Sequence, residues 1–140
     1  MSSYIDFLVD GEHSIRGRID DQLYDYMEDT FCWVKGTWLD GSVRSGFDYV
    51  GITEVVDEEN IFQLCAIMQA WRQLFSCGPE KISIAVGYTY GSDPTDQTID
   101  FTRPVTETFF KTEIIAQLDS IIAVCDKAIK ENERVIVMGL

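Results

Sequence analysis

The chain has 140 residues, 46% hydrophobic and 12% aromatic. That is enough apolar material for one packed domain, so its acidity is not the mark of a disordered segment. It carries 24 acidic residues against 11 basic ones, a formal charge of -13, with a single histidine; such an imbalance speaks against a phosphate-binding surface and for solubility or a cationic partner.

The opening stretch, Met1 to Asp10, has neither the basic flank nor the long apolar run of a signal peptide. No later stretch approaches the roughly 20 apolar residues of a bilayer span, so a cytoplasmic location is expected. The first element reads as a hairpin, with Tyr4 to Val9 and Glu12 to Ile19 flanking the turn pair Asp10-Gly11. A short acidic helix is expected from about Asp20 to Asp29, with Leu23, Tyr24, Met27 and Phe31 at helical spacing on its apolar side. Phe31 to Leu39 and Val43 to Val56, separated by Asp40-Gly41, have the β-branched and aromatic content of strands. Gly46 and Gly51 inside the second run suggest a bulge or a close approach by another element.

The clearest helix runs from about Glu58 to Cys77. Asp57 is positioned to cap it, and Glu58 and Glu59 complement its dipole. Ile61, Leu64, Cys65, Met68, Trp71 and Phe75 form its apolar stripe, widened by Ile67 and Leu74. Gly78-Pro79 reads as a left-handed cap and a stop. Ile82 to Tyr90 alternates as a strand, with Ser83, Ala85, Gly87 and Thr89 forming a small face against which a helix could lie. Gly91 to Arg103 reads as an acidic loop, and a second long helix begins near Pro104 to Thr108 and runs to about Glu131. Its stripe is Ile114, Leu118, Ile121, Ile122, Cys125 and Ile129, and Val135 to Met138 reads as a buried strand. The fold class is α+β: a single domain, residues 1–140, with a mixed β-sheet, N-terminal hairpins and two long helices packed on the sheet. Were the strands joined by those helices to share one sheet, right-handed crossovers would be expected.

Motifs of catalysis are missing. There is no G-x-S-x-G elbow, no phosphate-loop sequence and no dinucleotide fingerprint. His13 has no nucleophile motif near it in sequence and reads as a surface residue. Cys32, Cys65, Cys77 and Cys125 are irregularly spaced and read as reduced thiols, not as disulfides or zinc ligands. Asp57, Glu58 and Glu59 could form a metal patch, but capping and dipole roles account for all three. No metal or cofactor is expected. Nucleic-acid binding is disfavoured, because Tyr88 and Tyr90 could stack bases but the basic residues are scattered.

The charge distribution points to a binding surface. Asp20, Asp21, Asp25, Glu28 and Asp29 fall within ten residues that contain no base, and on a helix the last four line up at i, i+4, i+7 and i+8. A second acidic stretch, Tyr90 to Asp100, holds Asp93, Asp96 and Asp100 and again no base. Aromatic residues beside both stretches, Tyr90 among them, give them the composition of contact surfaces.

Several segments also carry a likeness. Gly46-Phe-Asp-Tyr-Val-Gly-Ile-Thr53, the helix with Trp71 and Leu74-Phe75, Pro79-Glu80, the strand Ile82-Ser-Ile-Ala-Val-Gly-Tyr88, Asn132 and the closing Val137-Met-Gly-Leu140 together resemble immunity proteins of bacterial polymorphic-toxin systems, including contact-dependent growth inhibition. The resemblance runs from Gly46 onward. It implies a small cytoplasmic, non-enzymatic protein that binds and blocks a cognate toxin domain, often a nuclease with a basic cleft, and it assigns no binding residues. Two other classes compete: an acidic nucleic-acid mimic that inhibits a defence nuclease, and a small carboxylate-dependent enzyme.

Overall fold

A computed structural model of the chain describes residues 3–92 and 100–140, without the side chains of residues 13, 88–92 and 100–103. Alternation of apolar and polar residues builds the first hairpin, β1 (Tyr4–Val9) and β2 (Glu12–Asp20), which turns at Asp10-Gly11 with Val9 opposite Glu12; the register then shifts, so that Leu8 lies opposite Arg16. Helix α1 (Asp21–Phe31) follows directly. Short strands β3 (Lys35–Trp38), β4 (Val43–Ser45) and β5 (Ile52–Val55) lead into α2 (Glu58–Ser76). A long hairpin of β6 (Lys81–Ser92) and β7 (Asp100–Phe110) precedes α3 (Lys111–Glu131) and β8 (Val135–Met138).

The α+β class and the N-terminal hairpins are as expected. Strands β2-β1-β8-β5-β3-β4 form a six-stranded sheet in that order, and every ladder in it is antiparallel. The last strand therefore lies in the middle, between β1 and β5. Helices cover one face: Ile5, Phe7, Val9 and Ile19 from the first hairpin join Val55, Val135 and Val137 in one core with Leu23, Met27 and Phe31 of α1, Leu64 and Met68 of α2, and Leu118 and Ile121 of α3. Gly17 on β2 permits the closest approach, since a side chain there would meet the Cα of Ile121 at 2.9 Å. The edge of β2 is closed by α3, whose Ser120 Oγ accepts from Arg18 N–H and whose Gln117 Oε1 accepts from Asp20 N–H.

Several expectations are corrected. Phe31 is the last residue of α1 instead of the start of a strand, and Val43 to Val56 is two short strands. The break between them has a local cause: Gly46 sits at φ 85°, and the Asp48 carboxylate accepts from Val50 N–H, so side-chain bonds replace the ladder. Asp57 precedes α2 but its exposed side chain makes no capping bond. Gly78 is not left-handed; the end of α2 is closed by N–H bonds from Cys77 and Gly78 to the Leu74 and Phe75 carbonyls, and by the Lys111 ammonium donating to the Gly78 carbonyl at 3.0 Å. Trp71 is half-buried and Leu74 is exposed, so the α2 stripe is narrower than its sequence suggests.

The largest correction concerns Gly91 to Thr108. Residues 100–110 form β7, paired with β6 as a separate two-stranded sheet, and α3 begins only at Lys111. Pro104 imitates a helix start, but the Val105-Thr-Glu-Thr-Phe-Phe110 run has strand composition, and proline is tolerated on a strand with an unpaired edge. Because β6 and β7 stand outside the main sheet, neither α2 nor α3 joins two strands of one sheet directly, so the crossovers expected of the two long helices do not arise; the connection that crosses the main sheet runs from β2 through α1 to β3. The small face of β6 is not covered by a helix either, since Ser83 and Ala85 are exposed. A bulge between Ala85 and Gly87 shifts the alternation; Ile84 is buried in the core, and Ile82 and Val86 are partly buried against it. In β8, Val135 and Val137 are buried while Met138 is exposed, so the strand is covered on one face only.

Candidate interaction surface

Helix α1 positions Asp21, Asp25, Glu28 and Asp29, four of the acidic residues singled out from the sequence. Its inner side buries Leu23, Tyr24, Met27 and Phe31, which leaves two flanks at the surface. One flank carries Asp21, Asp25 and Glu28, and the other carries Tyr26 and Thr30; Asp29 lies between them at the crest.

Asp20 is a correction to that set. It is only 5% exposed and stands at the N-cap, where its carboxylate accepts from Gln22 N–H at 2.9 Å. Burial pushes its pKa up from the ordinary aspartate value, against the downward pull of that bond. Asp20 is therefore a structural cap and is not available to a partner. The adjoining β7 adds an acid that sequence reading missed, since Glu107 lies close enough to raise the Asp20 pKa further.

The acidic flank converges on Tyr49, another residue the sequence did not single out. The Tyr49 hydroxyl lies beside the Asp25 carboxylate and favours its charged form. Although the residue is exposed, partial desolvation of its carboxylate raises the Asp25 pKa, and repulsion from Glu28 and Asp21 raises it further. Tyr49 is raised too, first by burial and then by Asp25, Asp21 and Glu28. A relay of rings holds the arrangement: Phe7 of β1 meets Phe47 at 6.1 Å, Phe47 meets Phe31 at 5.7 Å, Phe31 meets Tyr24 at 4.7 Å, and Tyr24 meets Tyr49 at 5.7 Å. The tail clamps Tyr49 from the other side, with Leu140 N–H donating to the Tyr49 carbonyl at 2.8 Å and Gly139 N–H to the Gly51 carbonyl at 2.7 Å. A side chain at position 139 would run into the Tyr49 backbone, so glycine is required there.

The other flank is apolar. Tyr26 packs on Trp71 with ring centroids 5.7 Å apart, and Trp71 stacks on Phe75 at 5.7 Å. The Trp71 indole N–H donates to Thr30 Oγ at 2.9 Å, and that hydroxyl donates to the Met27 carbonyl at 2.7 Å, which fixes α1 against α2. Between the helices runs a groove of about 230 Å³ lined by Thr30, Trp33, Ile67, Ala70, Trp71 and Leu74. Trp33 is 63% exposed and Leu74 59% exposed at its rim. Sequence reading placed Trp33 in a strand; the signal that could have found it is the run of α1 to Phe31, already implied by the Met27–Phe31 spacing.

Elsewhere several acids are paired, although Asp57, Glu58, Glu59, Glu80, Glu107, Glu113 and Glu133 take part in no ion pair among the described residues. Arg16 and Arg18 meet Asp6, Arg134 meets Glu54 and Asp10, Arg44 meets Asp40, Arg72 meets Asp119, and Lys127 meets Glu12 and Glu131. Among the described residues none of Asp21, Asp25, Glu28 and Asp29 takes part in an ion pair. Of the second acidic stretch, Tyr90 lies on β6 and Asp100 on β7 with undescribed side chains, and Asp93 and Asp96 lie outside the described residues, as does the His13 side chain. Among the described residues no group of three or more histidine, cysteine or acidic residues is arranged to hold a metal ion, and no helix is long and apolar enough to cross a membrane. Comparison of the chain with protein-family models, with curated proteins and with solved structures gave no match.

Proposed function

We propose that this protein is a cytoplasmic immunity protein that neutralises a cognate toxin domain by direct contact, without catalysis or a cofactor. The observation that carries the reading is the unneutralised acid on α1. A helix that sets Asp21, Asp25, Glu28 and Asp29 three or four residues apart destabilises itself by about 0.2–0.5 kcal/mol per like-charged pair. Among the described residues no lysine or arginine forms an ion pair with these four acids. The offsets the fold supplies are the Tyr49 hydroxyl beside Asp25 and the place of Asp21 in the first helical turn. A basic protein surface would offset the remaining repulsion, with fast electrostatic steering and exclusion of the partner's own anionic substrate as consequences. The aromatic residues bordering the acids, Tyr26, Trp33 and Trp71, supply the kind of anchors that carry binding energy at interfaces.

The test is co-expression with the C-terminal domain of a secreted toxin encoded beside this chain. The expected result is rescue of growth and co-purification of a stoichiometric complex whose association slows with added salt. Absence of a complex, together with turnover of a small molecule by the purified chain, would overturn the reading. Binding to several unrelated DNA-binding proteins in place of one partner would replace it with nucleic-acid mimicry.

A further inference from the structure

We infer that the groove between α1 and α2 is the anchor pocket of this surface, and that its occupant is a single bulky apolar side chain flanked by lysine or arginine in a partner protein. The inference rests on the reading of α1 as the face that meets a cationic protein, and it names the chemistry that face selects. Three observations carry it. The groove lining is apolar apart from the Thr30 hydroxyl, and that hydroxyl is already held between the Trp71 indole and the Met27 carbonyl. The lining therefore offers almost no free polar group to orient a polar ligand.

Size decides the next point. A volume of about 230 Å³ lies below the roughly 300–1,000 Å³ of small-molecule sites. It suits one leucine-, phenylalanine- or tryptophan-sized side chain. Charge then decides what surrounds that side chain. Asp29 precedes the lining residue Thr30 directly, and Asp25 lies one helical turn before Asp29 on the same helix. A second copy of this chain, at a net charge of -13, would bring acid against acid and is the wrong occupant. Basic residues beside the anchor would meet Asp29 at the crest of α1, with Asp25 and the acidic flank beyond it, while the apolar side chain fills the groove.

The chain carries its own reporters: Trp33 and Trp71 line the groove, whereas the Trp38 indole is bonded to the Gly46 carbonyl in the β3 region and serves as an internal control. The experiment titrates the full chain with short synthetic peptides and follows the three indole N–H signals by NMR. A lysine-rich peptide with one central leucine is expected to shift Trp33 and Trp71 saturably and to leave Trp38 in place. The same peptide with glycine for leucine, and a serine-flanked leucine peptide, are each expected to bind about tenfold more weakly or worse, the loss typical of a removed anchor. Ala70→Gln, which fills the groove with a polar side chain at unchanged charge, is expected to cost the leucine peptide a similar factor while Trp38 reports an intact fold. Equal binding of the leucine and glycine lysine peptides would overturn the anchor pocket and leave the cationic-partner reading standing. Equal binding of the serine-flanked peptide would overturn both, as the groove would then act without charge. No binding by any peptide, or full binding by Ala70→Gln, overturns the pocket.

Discussion

On the face of the sheet away from the helices, Arg18 lies 2.8 Å from Asp6 and Arg134 lies 2.8 Å from Glu54. There the charges are interleaved across neighbouring strands, and each acid has its cation in the fold. On α1 the same residue types are segregated: acids follow one another along a flank, and Tyr49 contributes a hydroxyl instead of a positive charge. The first arrangement serves a solvated sheet face, where exposed pairs contribute about 0–1 kcal/mol each. The second arrangement is a local liability that the fold maintains through the aromatic relay and the tail clamp. Net charge alone does not separate these cases; the separation lies in where the cations sit.

The comparison breaks most completely if α1 is loosened from the core. Phe31 is fully buried and touches Tyr24 and Phe47. Phe31→Ala is expected to cost about 3–5 kcal/mol of stability, the usual loss for a buried phenylalanine. A urea midpoint measurement checks it, and a loss below that range would mean that α1 is held by something other than the ring relay. The next largest effect is on binding. Asp25→Lys with Asp29→Lys is expected to slow association with a basic partner about 10–100-fold at low salt. Asp119→Lys, which breaks the exposed pair with Arg72 on the α2–α3 side, is expected to leave that rate nearly unchanged. Stopped-flow mixing across a salt series tests both, and equal slowing by the two changes would reduce the α1 flank to bulk charge.

The contrast between Asp20 and its neighbours gives a smaller and sharper test. Asp20→Ala is expected to cost about 1 kcal/mol through loss of the helix cap. It is expected to leave association with a basic partner unaltered, because the Asp20 carboxylate is buried. A slower association without loss of stability would return Asp20 to the contact surface.

Much of this surface was legible in the sequence because it is local. The spacing of Leu23, Tyr24, Met27 and Phe31 reports the helix, and the acids at i, i+4 and i+7 report its flank whatever the rest of the chain does. What escaped is tertiary. Asp20 adjoins the stripe in sequence, but cap geometry turns it inward. Tyr49 is brought to Asp25 by tertiary contacts, the Tyr24 ring and the pairing of Gly139 and Leu140 with the turn that carries it. The groove needs α1 to run to Phe31 so that Trp33 stands beside Ile67 and Trp71, and a strand reading from Phe31 onward hides that. The β6–β7 hairpin was missed for a related reason: Pro104 is a strong local signal for a helix start and masks the strand composition of Val105 to Phe110, whose pairing with β6 is not local.

The smallest expected effect has the most telling sign. Asp25 has its pKa raised in the folded chain, first by desolvation and then by Glu28 and Asp21, with the Tyr49 hydroxyl acting in the opposite sense. An acid whose folded pKa lies above its unfolded value binds protons more readily when folded, so its ionisation lowers stability as pH rises through that interval. Asp25→Asn keeps an acceptor for the Tyr49 hydroxyl and removes the charge. The variant is therefore expected to be more stable than the parent at neutral pH, by about 0.5–1 kcal/mol if two or three like-charged helix pairs are relieved. The gain should be fully present above the raised folded pKa and should vanish as pH falls below the ordinary aspartate value of 3.8, where both chains are neutral at this position. Removing charge from Asp6 or Glu54 on the sheet face should do the reverse and cost a few tenths of a kcal/mol, since each gives up a cation. Urea melts of the three variants across that pH range check the signs. A destabilised Asp25→Asn at neutral pH would mean that the α1 flank is already neutralised within the fold, and the difference between the two surfaces would be lost.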